Sequence, residues 1–299
     1  TIKFGQNAIP LEVSENGPGN IEYASSNTSI VTIDSMGALQ PLKVGVSVIT
    51  AAKQGDECYQ SVSASYTVEV KKSVPEIGFT AAEGRIVFGD AAEYSLQNPD
   101  GLTVKYTTSE SSIAVFDESG QLVIKQAGTV DIIATIAETS TAERAEARYV
   151  LLINKATQSP FYFRQASETI RFGNIRQLFT EGGSGSGQVV FESDDPSSLT
   201  ISPGGYVQIK KVPVGSVSIR ATKIGDKRFK IASAVHTFYI KRGIQRLTIN
   251  GGQEQNIAYE TKKPLSIYVP VGGGDGALSY LSDSPNIVSV DNLGVMKGL

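Results

Sequence analysis

The chain of 299 residues is 40% hydrophobic with a net charge of −3, which excludes a disordered polypeptide and withholds the basic excess of a nucleic-acid binder. Its longest purely aliphatic run, Val150-Leu151-Leu152-Ile153, is far short of the ~20 residues that span a bilayer, so no membrane insertion is expected. A single cysteine, Cys58, excludes an intrachain disulfide, and 30 glycines with no tryptophan suit short strands joined by tight turns.

In chain order, the first element opens on Ile2-Lys3-Phe4-Gly5. The string returns at Ile86-Val87-Phe88-Gly89 and Ile170-Arg171-Phe172-Gly173, 84 residues apart each time, with a degraded copy at Ile257-Ala258-Tyr259-Glu260. An aromatic followed by small polar residues recurs in step: Tyr23-Ala24-Ser25-Ser26, Tyr106-Thr107-Thr108-Ser109, Phe191-Glu192-Ser193-Asp194 and Tyr280-Leu281-Ser282-Asp283. An alternating segment follows, Ile30-Val31-Thr32-Ile33-Asp34, matched by Ile113 to Asp117, Ser198 to Ser202 and Ile287 to Asp291. A glycine comes two or three residues later (Gly37, Gly120, Gly205, Gly294), and Gly45, Gly128 and Gly215 each open a β-rich segment. Gly55-Asp56 matches Gly225-Asp226, whereas the second copy has lost this pair between Glu138 and Arg144. Each unit closes on a strand, Tyr66 to Val70, Tyr149 to Ile153 and His236 to Ile240.

Strand alternation puts one face in a core and the other in water, so Tyr66, Val68 and Val70 share a face opposite Thr67, Glu69 and Lys71. Pro18-Gly19-Asn20, Asn98-Pro99-Asp100-Gly101 and Pro203-Gly204-Gly205 read as turns. Thr139 to Arg148 is polar and Ala-rich enough for a short helix, but its aligned position predicts a loop. The expected fold is all-β: tandem Ig-like antiparallel β-sandwich domains in an elongated array. Expected domains are 1–72 (lacking a first strand), 73–155, 156–242 and 243–299 (C-terminally truncated), with extra opening strands at Glu76 to Thr80 and Pro160 to Arg164. Residue 1 is not Met and no signal peptide is read near it, so Thr1 is expected to be a cut or processed end.

With these motifs in place the chain resembles the bacterial Ig-like group 2 domains, as found in intimin- and invasin-like surface adhesins of the inverse autotransporter type. The resemblance rests on Tyr-x-Ser-Ser, Ile-Val-Thr-Ile-Asp, the single glycine, Lys43-Val44-Gly45, the Ile-Thr-Ala strand and Gly-Asp-x-x-Tyr, which span Tyr23 to Val70 and recur. It implies spacer repeats on an extracellular bacterial surface, anchored at the outer membrane in the parent protein. Related modules also occur in phage structural proteins and secreted enzymes.

Catalytic chemistry is sparse. His236, the only histidine, aligns with Tyr66 and Tyr149 and is expected to be a core or edge residue, and Cys58 a loop residue. Gly182 to Gly187 and Gly272 to Gly276 lack the Lys-Ser/Thr of a phosphate loop and read as flexible loop tips. No catalytic, cofactor or metal residues are assigned. Calcium stays open at Asp194-Asp195, Asp275, Asp283 and Asp291, while Asp34, Asp117 and Asp291 are expected to cap turns. The expected role is a non-enzymatic stalk of an adhesin whose partners are neighbouring repeats. The alternatives are a repeat that itself binds a host protein or glycan, with the Gly182 to Gly187 loop as the contact, or an accessory module of a secreted enzyme or phage particle.

Overall fold

A computed structural model describes residues 1–14, 19–245, 247–250, 254–269 and 276–299. Every regular element in it is a β-strand, and no helix long and apolar enough to cross a membrane occurs among the described residues. The chain forms tandem antiparallel Ig-like β-sandwich repeats, grouped into two compact units, Thr1–Ala156 and Thr157–Leu299.

The first unit holds two repeats. One four-stranded sheet runs Ile2–Lys3, Val62–Lys71, Gly45–Lys53, Ile21–Ser25; the next runs Glu83–Val87, Ala145–Asn154, Gly128–Ile136, Val104–Thr108. In the second unit the same order recurs as Glu168–Arg171, Ala232–Lys241, Ser216–Lys223, Val189–Ser193. The hairpin register is identical in all three, with Ile49 opposite Tyr66, Ile132 opposite Tyr149 and Ile219 opposite His236. A smaller sheet faces each of these, for example Ile9–Pro10, Ala38–Pro41 and Val31–Ile33.

The motifs now have physical causes. The opening strand lies parallel to the closing strand, pairing Ile2 with Val70, Ile86 with Ile153 and Ile170 with Ile240. The Phe4, Phe88 and Phe172 amides extend this clasp, each donating across 2.8 Å to the carbonyl of Lys71, Asn154 or Lys241. Downstream of the aromatic strand, Ser26 Oγ accepts from Val48 N and Ser109 Oγ from Asp131 N, while Asp194 Oδ1 replaces them toward Ser218 N. In the expected turn caps, Asp34 Oδ1 accepts from Met36 and Ala38 N, Asp117 Oδ1 from Ser119 and Gln121 N, and Asp291 Oδ1 from Leu293 and Val295 N. Ser202 Oγ does the same for Tyr206 N.

Inward positions of Ala145–Asn154 alternate into a core of Ala114, Val130, Ile132, Tyr149, Leu151 and Ile153. Smaller and larger equivalents are built on Ile49, Val68 and Val70 and on Ile219, Phe238 and Ile240. Beyond Ile240 short strands pair, as Lys262–Pro264 with Val295–Gly298, yet no hydrophobic side chain among the described residues there is buried.

Three expectations are corrected. Thr139 to Arg148 is only partly a loop, because Ala145 already begins the ten-residue closing strand and pairs with Ile136. Tyr66 is 52% exposed although Val68 and Val70 on its face are buried. Phe79 covers Tyr149 at a 5.5 Å centroid distance and Phe163 covers His236 at 5.5 Å, from strands Gly78–Phe79 and Phe161–Phe163; no such strand lies over Tyr66 among the described residues. The Gly182 to Gly187 loop, expected to be a flexible tip, is instead held by Asp226 and by the Pro160 carbonyl. The 272–274 glycines, Asp275 and the start of the Pro18 turn lie outside the described residues.

Candidate functional site

Between the first two repeats, Lys71 ends one closing strand and Gly78 begins the next element, leaving six residues. Those residues are held. Ser73 N donates to Thr141 O at 2.9 Å, Glu143 N returns a bond to Ser73 O at 2.9 Å, and Ser73 Oγ reaches Thr141 O at 3.2 Å. Lys72 Nζ pairs with Glu138, whose carboxyl is held below its usual range by that hydrogen bond and charge. The receiving loop is where the second repeat lacks Gly-Asp. In the other repeats Asp56 Oδ1 accepts from Cys58 and Tyr59 N, and Asp226 Oδ1 from Arg228 and Phe229 N. Here Thr139 Oγ1 accepts from Ala142 N instead, and Ser73 adds a parallel bridge to Ala142. Ser73 lies in the polar joint Lys71-Lys72-Ser73 that follows the first closing strand, but its bonds to the Thr139 to Glu143 loop were not legible in the sequence, where the lost Gly-Asp pair was the one signal.

His236 is 1% exposed, stacked edge-on to Phe163 and Phe238, with Nδ1 3.3 Å from Gln165 O and Nε2 unpartnered. Burial lowers its pKa, so at pH 7 the ring is a neutral core group. No hydroxyl or thiol is hydrogen-bonded to it in the described contacts. Cys58 is an exposed free cysteine. Among the described residues no three acidic, histidine or cysteine side chains converge as a metal site. Asp194 and Asp195 are adjacent, whereas Asp283 and Asp291 belong to a different sheet region, and Asp291 is committed to its turn.

The glycine-rich loop of the third repeat is clamped by close packing. Ser186 N and Oγ donate to Asp226 Oδ2 at 2.9 and 3.3 Å, and Gly183 N donates to Pro160 O. The amides of Ser186, Arg228 and Phe229 hold the Asp226 carboxyl well below the usual carboxylate range. A Cβ on Gly187 would lie 1.6 Å from Ile224 O and one on Gly182 1.9 Å from Pro160 O. These glycines therefore serve close backbone approach. Beneath them Gln158 is buried, its Nε2 donating to Lys230 O at 2.7 Å and to Lys223 O at 3.3 Å.

No protein-family model matches the chain, and no curated protein matches it. Solved structures similar to it include Drosophila N-cadherin EC1-4, at 13% identity over 80% of this chain and 72% of that one, with a TM-score of 0.27. Mouse cadherin-23 EC22-24 is similar at 12% identity over 81% and 94%, TM-score 0.29, and protocadherin gammaB7 EC3-6 at 13% over 99% and 89%, TM-score 0.30. Identities and scores at this level carry no information about function.

Proposed function

We propose that the chain is a non-enzymatic, load-bearing spacer in an extracellular bacterial surface adhesin, holding a distal binding domain away from the cell. The observation that carries this is the parallel clasp between opening and closing strands, present three times in one register. Tension applied to the two ends of such a repeat loads the parallel hydrogen bonds together, in shear, instead of opening them singly. The six-residue intervals 72–77, 155–160 and 242–247 leave little slack to absorb load. In this reading the domains are 1–72, 73–155, 156–242 and 243–299. The bacterial, cell-surface assignment is supported by the resemblance of the Tyr23 to Val70 motifs to bacterial Ig-like group 2 domains.

The test is single-molecule stretching of the chain tethered at both termini. The second and third repeats are expected to open in separate steps, each releasing about one 84-residue period. Smooth extension without steps, or one event releasing both repeats at once, would overturn the reading.

A further inference from the structure

The repeats act as internal controls for a sheet edge that the second one leaves open. In the first, third and fourth repeats the strand after the turn glycine is paired on both sides. Its outer neighbour runs antiparallel, with Ile9 opposite Leu39, Arg176 opposite Val207 and Lys263 opposite Met296. Two residues further on, that neighbour carries a leucine whose amide donates to the turn glycine. The distances are 2.8 Å from Leu11 N to Gly37 O, 2.9 Å from Leu178 N to Gly205 O and 2.9 Å from Leu265 N to Gly294 O. In the second repeat the equivalent strand, Leu122–Ile124, pairs with Ala114–Phe116 alone among the described residues.

One residue type accounts for the difference. Thr80 N donates to Ser95 O and Arg164 N to Phe179 O, so Tyr94 stands where the third repeat has Leu178. Leu178 is buried and its backbone closes on the turn: a Cβ on Gly205 would lie 2.2 Å from Leu178 O. Tyr94 instead turns its larger ring onto Phe79, Tyr106 and Tyr149, at centroid distances of 6.1, 6.2 and 6.0 Å. A Cβ on Gly120 would then meet nothing within 4 Å. An open cleft of about 580 Å³ results, with Phe88, Ala92 and Tyr94 on one side and Gly120, Leu122 and Ile124 on the other.

The backbone groups on this edge define its occupant. Asp117 N donates to Gln121 O and Lys125 N to Ile113 O, so the bonded pair between them is Val115 with Val123. The N–H and C=O of Leu122 therefore point the other way, into the cleft, as does the carbonyl of Gly120. A donor between two acceptors at strand spacing is the complement of an extended peptide backbone. The cleft's one carboxylate, Asp90, already accepts from Val87 N at 3.2 Å, so the site calls for no cation. The closed repeats show which side chains fit, as Ile9-Pro10-Leu11, Arg176-Gln177-Leu178 and Lys263-Pro264-Leu265. We infer that the open edge at Leu122–Ile124 docks an extended, leucine-bearing peptide segment of a partner protein. The segment adds as an antiparallel strand, with its leucine amide on Gly120 O. This property of the second repeat does not depend on the spacer reading.

The test is amide NMR of the 299-residue chain titrated with an end-capped peptide of the sequence Ala8 to Val13, which carries the Ile-Pro-Leu strand of the first repeat. The amides of Leu122 and Ile124 are expected to shift, while those of Leu39, Val207 and Met296, on edges already paired, stay in place. Leu11→Pro in the peptide removes the amide aimed at Gly120 O and should weaken binding at least ~10-fold. Tyr94→Leu in the chain restores the residue of the closed repeats. It should protect the Leu122 amide from hydrogen exchange without peptide and weaken peptide binding by a similar factor. The peptide comparison uses the unaltered chain, so it decides the matter even if Tyr94→Leu does not fold. No shift at Leu122, equal binding of the Leu11→Pro peptide, or unchanged binding by folded Tyr94→Leu would overturn the inference. Shifts at Leu122 on concentrating the chain alone would assign the edge to a second copy and overturn it as well.

Discussion

Glu260 stands where the Ile-x-Phe-Gly string has its glycine, and its backbone follows the glycines. It has φ of 56°, beside 82°, 102° and 91° at Gly5, Gly89 and Gly173, and is the sole non-glycine with positive φ among the described residues. A left-handed conformation costs an ordinary residue about 1–2 kcal/mol, while glycine's freer unfolded chain gives back about 0.4–1 kcal/mol. Glu260→Gly is therefore expected to stabilise this turn by about 0.5–1 kcal/mol. The measurement is hydrogen exchange at Glu260 N, which donates to Gly298 O; unchanged or faster exchange would refute it. His236 carries a second residue-scale expectation. Burial is the largest cause of its lowered pKa, outweighing the Gln165 carbonyl and Glu168, which act to raise it. The folded pKa lies below the unfolded value of about 6.5, so its contribution is complete above that pH and is lost as pH falls toward the folded pKa. Melting of the third repeat should drop between pH 7 and pH 5.5, and His236→Phe should remove that part of the drop. An identical drop in the variant would place the acid sensitivity elsewhere.

Among elements, the joint strand offers the sharpest test. Ser73→Pro deletes both the N–H and the hydroxyl that bond Thr141 O but leaves the backbone carbonyl at 73 free to accept from Glu143. The expected loss is about 1 kcal/mol of local stability, seen as faster exchange at Glu143 with no change in the melting of the Ala145–Asn154 sheet. Unaltered exchange would mean the joint is not held by these bonds. Much of the element order was legible because its signals are local: period-two alternation, and aspartate-to-glycine turns such as Asp117 to Gly120. What escaped depends on distant partners. Ala145 to Arg148 has helix-favouring residues, but pairing with Ile133 to Ile136 makes it strand. Gly182 and Gly187 read as flexible until the carbonyls of Pro160 and Ile224 are seen against them. The equivalence of Ser198 to Ile30 and Ile113 was legible in the repeat, but that those isoleucines pack against Gly45 and Gly128 was not.

For the whole molecule, repetition makes stability a sum of each repeat's own core and its contacts with neighbours. The second repeat has a closed cluster from Ala114 to Ile153, reinforced by Phe79, Tyr94 and Tyr106. Residues 74–155 are accordingly expected to fold alone and melt cooperatively. Residues 243–299 have paired strands but no buried hydrophobic side chain among those described, and their backbone pairing alone cannot offset chain entropy of about 1–2 kcal/mol per residue. Val288, Val295 and Met296 are only partly covered. This segment is expected to give no cooperative melt when isolated, and to gain protection from hydrogen exchange only when joined to residues 156–242. A cooperative transition in the isolated 243–299 peptide would overturn both that expectation and the proposed boundary at 242/243. Failure of 74–155 to fold would instead show that the Ser73 joint and its neighbouring repeat are integral to one sandwich.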